Sequence, residues 1–204
     1  MPVKPGNSRS RLAILSAVVL CGRAASDPAL ASRALQEFRN GKYEEAERDF
    51  REITRTDPSD VYAQVYLGQT LFKEEKYTDA AHPFEGALAL EEGGHVLSSD
   101  QHRIIVDQLA MAYGISGQAG KAHELLEKAV SRDPEYPLNY YNLACVFAGE
   151  GNRGKMLTNL DLAFHHKDHV LKGEQMPDPR TDPSFQRYLR DDDFVRLMKA
   201  LGFK

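Results

Sequence analysis

Tryptophan is absent from this 204-residue chain, cysteine occurs twice, and no apolar stretch is long enough to cross a bilayer. The longest apolar run, Leu12 to Leu20, is about half of the roughly 20 residues that a spanning helix needs. With only Cys21 and Cys145, a disulfide-stapled scaffold is excluded. If the chain is cleaved after Cys21, Cys145 stands alone, and stability must come from helix packing. Cys145 then reads as a small hydrophobe of core or groove. Basic residues are not in excess: 26 Lys and Arg face 30 Asp and Glu, a net charge of −4. That balance argues against a nucleic-acid-binding face, which needs a basic patch. Neither a phosphate-cradling glycine loop nor a Gly-x-Ser-x-Gly elbow occurs, and Gly93-Gly94 needs no ligand to explain it. The chain therefore reads as a non-enzyme without a cofactor.

What is present is periodic. Tyr43/Tyr77, Ala46/Ala80 and Phe50/Phe84 recur at a spacing of 34, and after an offset of eight the frame resumes with Gly117/Gly151, Leu126/Leu160 and Ala129/Ala163. A fixed period of this length marks a helix–turn–helix unit that stacks on copies of itself. The spacing predicts four units, over 27–60, 61–94, 103–136 and 137–170. Within the first, Leu30, Ala34 and Phe38 form one apolar stripe and Ala46, Phe50 and Ile53 the other, with Asn40-Gly41 between them and Asp57-Pro58 as the stop. The second carries Leu67, Gly68 and Leu71 on its first helix and Ala80, Phe84, Ala87 and Leu90 on its second. Gly68 and Ala80 are small because paired helices approach closely only where side chains are short.

These positions resemble the tetratricopeptide repeat, through Leu67-Gly68, Tyr77, Ala80 and Phe84 in unit two. Unit three matches through Leu109-Ala110, Tyr113, Gly117, Ala122, Leu126, Ala129 and Asp133-Pro134. Unit four matches through Tyr140, Leu143-Ala144, Phe147, Gly151, Leu160 and Ala163. The resemblance implies an all-α fold, a right-handed α–α superhelix of about four repeats. It also leaves departures. Met156 stands where an Ala is expected, which predicts a wider fourth crossing. Pro83 either forfeits a hydrogen bond or marks a late helix start. The insert around 95–102 is expected to lengthen the loop between units two and three, although Glu91 could extend the helix before it.

Residues 171–204 resemble the end-of-array module of some bacterial tetratricopeptide proteins, through Leu171-Lys172-Gly173-Glu174 and Asp178-Pro179-Arg180-Thr181-Asp182-Pro183. Asp191-Asp192-Asp193 ahead of Phe194, Leu197, Met198 and Leu201 predicts an N-capped amphipathic helix that covers the last apolar face. A metal site at the acidic triplet is the alternative. A second metal alternative is His165 and His169, four apart in His165-His166-Lys167-Asp168-His169, with Asp178 or Asp182 as further ligand. No Glu follows the first His to act as a base, and a polar helix end accounts for the cluster equally.

Residues 1–24 differ in composition from the rest. They hold Lys4, Arg9, Arg11 and Arg23 and no acid, so the remainder carries 22 basic against 30 acidic residues, a net charge of −8. A basic stretch, the short apolar run and small residues around Ala24 read as an export signal, with cleavage expected after Ala24 and a periplasmic or secreted product. The alternatives are a cytosolic protein with an N-terminal extension, or lipidation at Cys21, which Leu20 disfavours.

For function, the resemblance implies that first helices line a concave face. Its groove positions fall on Ala31, Leu35 and Phe38, then Tyr62, Val65, Gln69 and Phe72. Units three and four add Asp107, Met111, Leu138, Tyr141 and Cys145, with Asn142 placed to contact a peptide backbone. Val65 and Tyr141 stand where a clamp for a C-terminal carboxylate would need charge. An apolar or aromatic segment, bound as helix or extended strand, is the expected protein partner, and the chain is expected to serve as a scaffold or adaptor of the bacterial cell envelope. On this reading Tyr141→Ala weakens a partner, whereas Phe50→Ala costs several kcal/mol of stability. The alternative is that the insert or the C-terminal tail covers part of the groove.

Overall fold

The computed structural model describes residues 27–94 and 97–203. The export-signal reading, with Cys21, lies outside them. Local chemistry marks the helix starts. Asp27 caps α1 (Pro28–Arg39) by accepting from the Ala29 N–H, and Asp60 caps α3 (Val61–Lys73) by accepting from Ala63. Ser98 and Gln101 form a reciprocal capping box at α5 (Ser99–Ile115), and Pro137 opens α7 (Pro137–Glu150). Each is the first helix of a pair. Its mate follows a tight turn: α2 (Tyr43–Thr56), α4 (Tyr77–Glu92), α6 (Ala119–Arg132) and α8 (Arg153–His165). The turn needs one residue in the left-handed region. Gly41, Gly117 and Gly151 supply it at φ 72°, 75° and 76°, and in unit two Glu75 holds the same position at φ 60°.

Successive helices pack in order along the chain, and α1 on α3, α3 on α5 and α5 on α7 also touch. The odd-numbered helices are thus the inner layer of the array. Two cores fill the space between layers. One holds Ala46, Phe50, Ile53, Leu71, Phe84 and Ile105; the other holds Leu126, Tyr136, Phe147, Met156, Leu160 and Phe185. Leu88, Leu125 and Val146 border both. Gly68 shows how tight a pair is: a Cβ there would lie 2.6 Å from the Phe84 ring, which is wholly buried and has no room to withdraw.

The structure resolves several of the departures. α4 starts at Tyr77 and runs through Pro83, so the proline forfeits a hydrogen bond to Asp79 and is not a late start. The insert is partly helical: α5 begins at Ser99, and Leu97 is buried in the first core. Met156 is accommodated in full burial, in the core that contains the small Ala144 and Ala148.

After α8 the chain makes a 3-10 turn (Lys167–His169), runs without regular structure to a second 3-10 helix (Pro183–Tyr188), and ends in α9 (Asp192–Ala200). The second 3-10 helix lies on α7 and α9 lies on α8. Both helices of the last pair are therefore covered. Arg153 on α8 clamps the Asp191 cap of α9 through two bonds of 2.7 and 2.8 Å and also reaches Asp193. Those acids serve as a helix cap and ion pair.

Two substitutions test this packing with opposite signs in chemical denaturation. Gly68→Ala overpacks the α3–α4 crossing and should cost about 1–3 kcal/mol. Glu75→Gly removes a left-handed non-glycine residue and should stabilise by up to about 1 kcal/mol. A neutral Gly68→Ala would mean that the crossing is looser than described.

Candidate functional site

The inner layer divides into two unlike halves. In units one and two and at the end of α5 its surface is open. Tyr62 on α3 is 50% exposed, and Met111 and Ile115 on α5 are 42% and 57% exposed. Met111 and Ile115 are four apart, so both stand on one side of the helix. Leu35, Gln69 and Phe72 are half-buried around them, as is Ala31. Phe38 and Phe72 are held edge-on by the tyrosines that open the second helices: Phe38 by Tyr43 at 5.8 Å and Phe72 by Tyr77 at 5.1 Å. Phe38 also meets Tyr66 at 5.5 Å. Both phenylalanines are partly buried and pack against the first core. Val65 is buried in the core, so of the expected groove residues in this half it alone is withdrawn.

In units three and four the same face is covered by the chain itself. The Tyr141 hydroxyl donates to Asp182 Oδ2 at 2.9 Å, and its ring meets Phe185 edge-on at 5.8 Å. The Cys145 Sγ lies 3.9 Å from the same carboxylate. Further along, the Tyr136 hydroxyl donates to Glu174 Oε2 at 3.0 Å and Tyr188 donates to the Ala148 carbonyl at 3.4 Å. Tyr141 is 2% exposed and Leu138 is buried. Asn142 does not point at a peptide: its Nδ2 donates to Asp107 Oδ1 at 2.7 Å. The expected groove thus holds Tyr141, Asn142 and Cys145 in internal contacts, and Tyr141→Ala becomes a stability variant as much as a binding one. Asp182, Glu174 and Phe185, which hold the tail down, carry no periodic signal. Their sequence trace is the resemblance of 171–174 and 178–183 to an end-of-array module, which does not pair them with Tyr136 or Tyr141.

Electrostatics follow from that cover. Burial pushes the Asp107 carboxyl up to about 6, offset in part by Asn142 and reinforced by Glu174. Burial and Asp182 push the Cys145 thiol up to about 12, so it is neutral and unreactive near pH 7. Burial also raises the Tyr136 and Tyr141 hydroxyls far out of titration range.

The histidine alternative meets a helix break. His165 is the last residue of α8, while His169 lies in the following 3-10 turn, so the pair does not share one helical face. His166 between them stacks on Tyr140 at 5.7 Å. Among the described residues no group of three or more His, Cys, Asp or Glu side chains could hold a metal, and no helix is long and apolar enough to cross a membrane.

Family profiles described as tetratricopeptide repeat match residues 24–94 and 107–136. The chain is a tetratricopeptide-repeat protein. Comparison with curated proteins finds none that matches. Among solved structures, a crystal structure of MamA is similar at TM-score 0.66 and 18% identity, over 85% of this chain and 88% of that one. MamA 41-end from Desulfovibrio magneticus RS-1 is similar at 0.62 and 21%, over 86% and 96%. YrrB, a TPR protein with an unusual peptide-binding site, is similar at 0.61 and 15%, over 88% and 85%. At these identities the likeness is one of fold. It covers the tetratricopeptide array as an all-α solenoid of stacked helix pairs.

Asp107 supplies a signed pH test. Its carboxyl rises from 3.8 to about 6 on folding, so between those values the folded chain binds more protons than the unfolded one. Its contribution to stability therefore falls as pH rises through that window and is level above it. Asp107→Asn should match the parent at pH 4 and exceed it by about 1–2 kcal/mol at pH 8, read by urea denaturation. Equal stability at pH 8 would show that this carboxylate is better solvated than described.

Proposed function

We infer that this chain is a non-enzymatic protein-interaction scaffold that receives an apolar or aromatic segment on the open half of its concave face. One observation carries the reading. The three large hydrophobic side chains that stand exposed among the described residues, Tyr62, Met111 and Ile115, all lie on inner-layer helices. Exposed apolar side chains scattered singly need no explanation, but their confinement to one face does. Leu35, Phe38 and Phe72 extend the same apolar row, and Gln69 supplies a polar group for orientation. A partner helix would fit by anchors at spacings of three and four, and a strand by alternate side chains. Because the array is built before the partner arrives, little conformational entropy is lost on its side.

The site of action belongs to the same reading. The basic, acid-free segment 1–24 with its short apolar run supports an exported protein that works in the bacterial cell envelope. The peptide-binding site of YrrB is a precedent for a peptide ligand on this fold.

A pull-down from envelope extract tests the inference. Met111→Ala/Ile115→Ala should lose a partner that the parent retains, with affinity at least about tenfold weaker. Thr158→Ala, on the exposed side of α8, should retain it. All three proteins should melt within about 2 °C of one another, since the altered side chains are solvent-exposed. Equal retention by the double variant would sink the proposed face.

A further inference from the structure

The covered half of the inner face has the character of a ligand site with its ligand in place. A segment that only seals a solenoid needs apolar contacts, and α9 provides them on α8 through Phe194 and Met198. The stretch before it binds differently. Between Glu174 and Asp182 it has no regular structure, and it is held by side-chain carboxylates on buried tyrosine hydroxyls: Glu174 on Tyr136 and Asp182 on Tyr141. One ring, Phe185, is then seated edge-on against Tyr141 and is wholly buried.

We propose that units three and four form a second recognition site, for an acidic segment followed by an aromatic residue, and that residues 174–188 are its displaceable internal occupant. This rests on the reading that the concave face is the binding face, and it names the chemistry for the half that the open groove does not cover. The ligand is a segment of a separate partner protein with a carboxylate about three residues ahead of an aromatic ring, as Asp182 precedes Phe185.

The electrostatics make the occupant exchangeable. Its Glu174 and Asp182 are laid on a face whose own charged group is the carboxyl of Asp107, and Glu174 opposes ionisation of that group. Arg103 of α5 stands at the edge of the site, with its Nε on Asp133 at 2.6 Å and its guanidinium over the ring of Tyr136. Arg180 of the segment is turned onto Asp178 beside it. The two tyrosine hydrogen bonds, Phe185, Tyr188 and the Arg180 contact over Phe203 hold the segment down, while Glu174 and Asp107 repel each other. A second anchor keeps the rest of the end in place when the segment lifts. Arg153 holds Asp191, and α9 packs on α8, without using Asp182, while Phe185 meets Phe194 of α9 at 6.0 Å. The stretch from Glu174 to Asp182 has no regular structure, and of its side chains Met176 packs against the core, so it opens at lower free energy than the core around it, with Phe185 and Tyr188 as the anchors that must be displaced.

A fluorescein-labelled peptide of residues 174–188 is the probe, added to the full chain carrying Cys21→Ser and followed by anisotropy. The parent should bind it weakly, because its own segment competes at high effective concentration. Asp182→Ala frees the site and should bind about tenfold more tightly, since the competent fraction rises. Asp182→Asn, milder in case Asp182→Ala folds poorly, should fall between them. A probe with Ala at the positions of Asp182 and Phe185 should not bind.

Asp182→Cys provides a lock. The 3.9 Å approach of Cys145 to the Asp182 carboxylate places a disulfide within reach. The oxidised protein should exclude the probe and the reduced one should admit it. Equal binding by parent and Asp182→Ala, or equal binding by the two redox forms once the cross-link has been formed at alkaline pH, would overturn the proposal. So would concentration-dependent dimers of Asp182→Ala in sedimentation, which would put a second copy in the site. None of these readouts involves Met111 or Ile115, so the open groove and this site stand or fall separately.

Discussion

Every pair in this array depends on two helices coming closer than ordinary side chains allow. On the first helices the contact position is Ala34, Gly68, Ala110 and Ala144, and on the second it is Ala46, Ala80, Ala122 and Met156. All are buried, and the Phe84 ring resting on Gly68 shows how little space remains. Close approach sets the tilt of each pair, and the tilt determines which surfaces of the odd helices stay free to form the inner face. Met156 breaks the pattern in the unit that the tail covers. The last pair is thus the one where the repeat grammar is weakest and where non-repeating sequence supplies the packing.

That tail solves a problem common to stacked repeats, since the final pair has an apolar flank and no neighbour. Here the solution is two-sided. α9 seals the outer helix with apolar side chains, while the stretch ahead of it crosses the inner helix with carboxylates and the rings of Phe185 and Tyr188. Sealing alone does not call for polar groups on the inner side. Their presence links the end of the fold to its recognition surface and divides that surface between an open row and an occupied one.

The repeats were legible in the sequence because packing enforces them. A 34-residue period fixes which face each Ala, Phe and Leu must take, so the four pairs and most of their buried stripes follow from spacing. Positions governed by local steric rules were equally readable, as with Asp57-Pro58 after α2 and Asp191 at the start of α9. The inner face was readable only where nothing else competes for it. Tyr62 and Met111 are exposed, whereas Tyr141, Asn142 and Cys145 sit at equivalent positions and are engaged by Asp182, Asp107 and the tail. Such contacts join residues about 35 to 41 apart outside the repeat frame, so no periodicity announces them. Ile115 was missed for a different reason, because it ends its helix one residue beyond the stripe that spacing identifies.

The two interiors meet at Leu88, Leu125 and Val146, which border both without being fully enclosed by either. A linear array transmits stability only between neighbours, so this seam sets how far one half feels the loss of the other. The insert falls there too, with α5 lengthened at its start and Glu91, His102 and Arg132 tied together across the junction. Unfolding is then governed by a single coupling energy at the seam. If it is large, the chain melts as one body. If it is small, the half closed by α9 outlasts the other, and no single unfolding free energy describes the molecule.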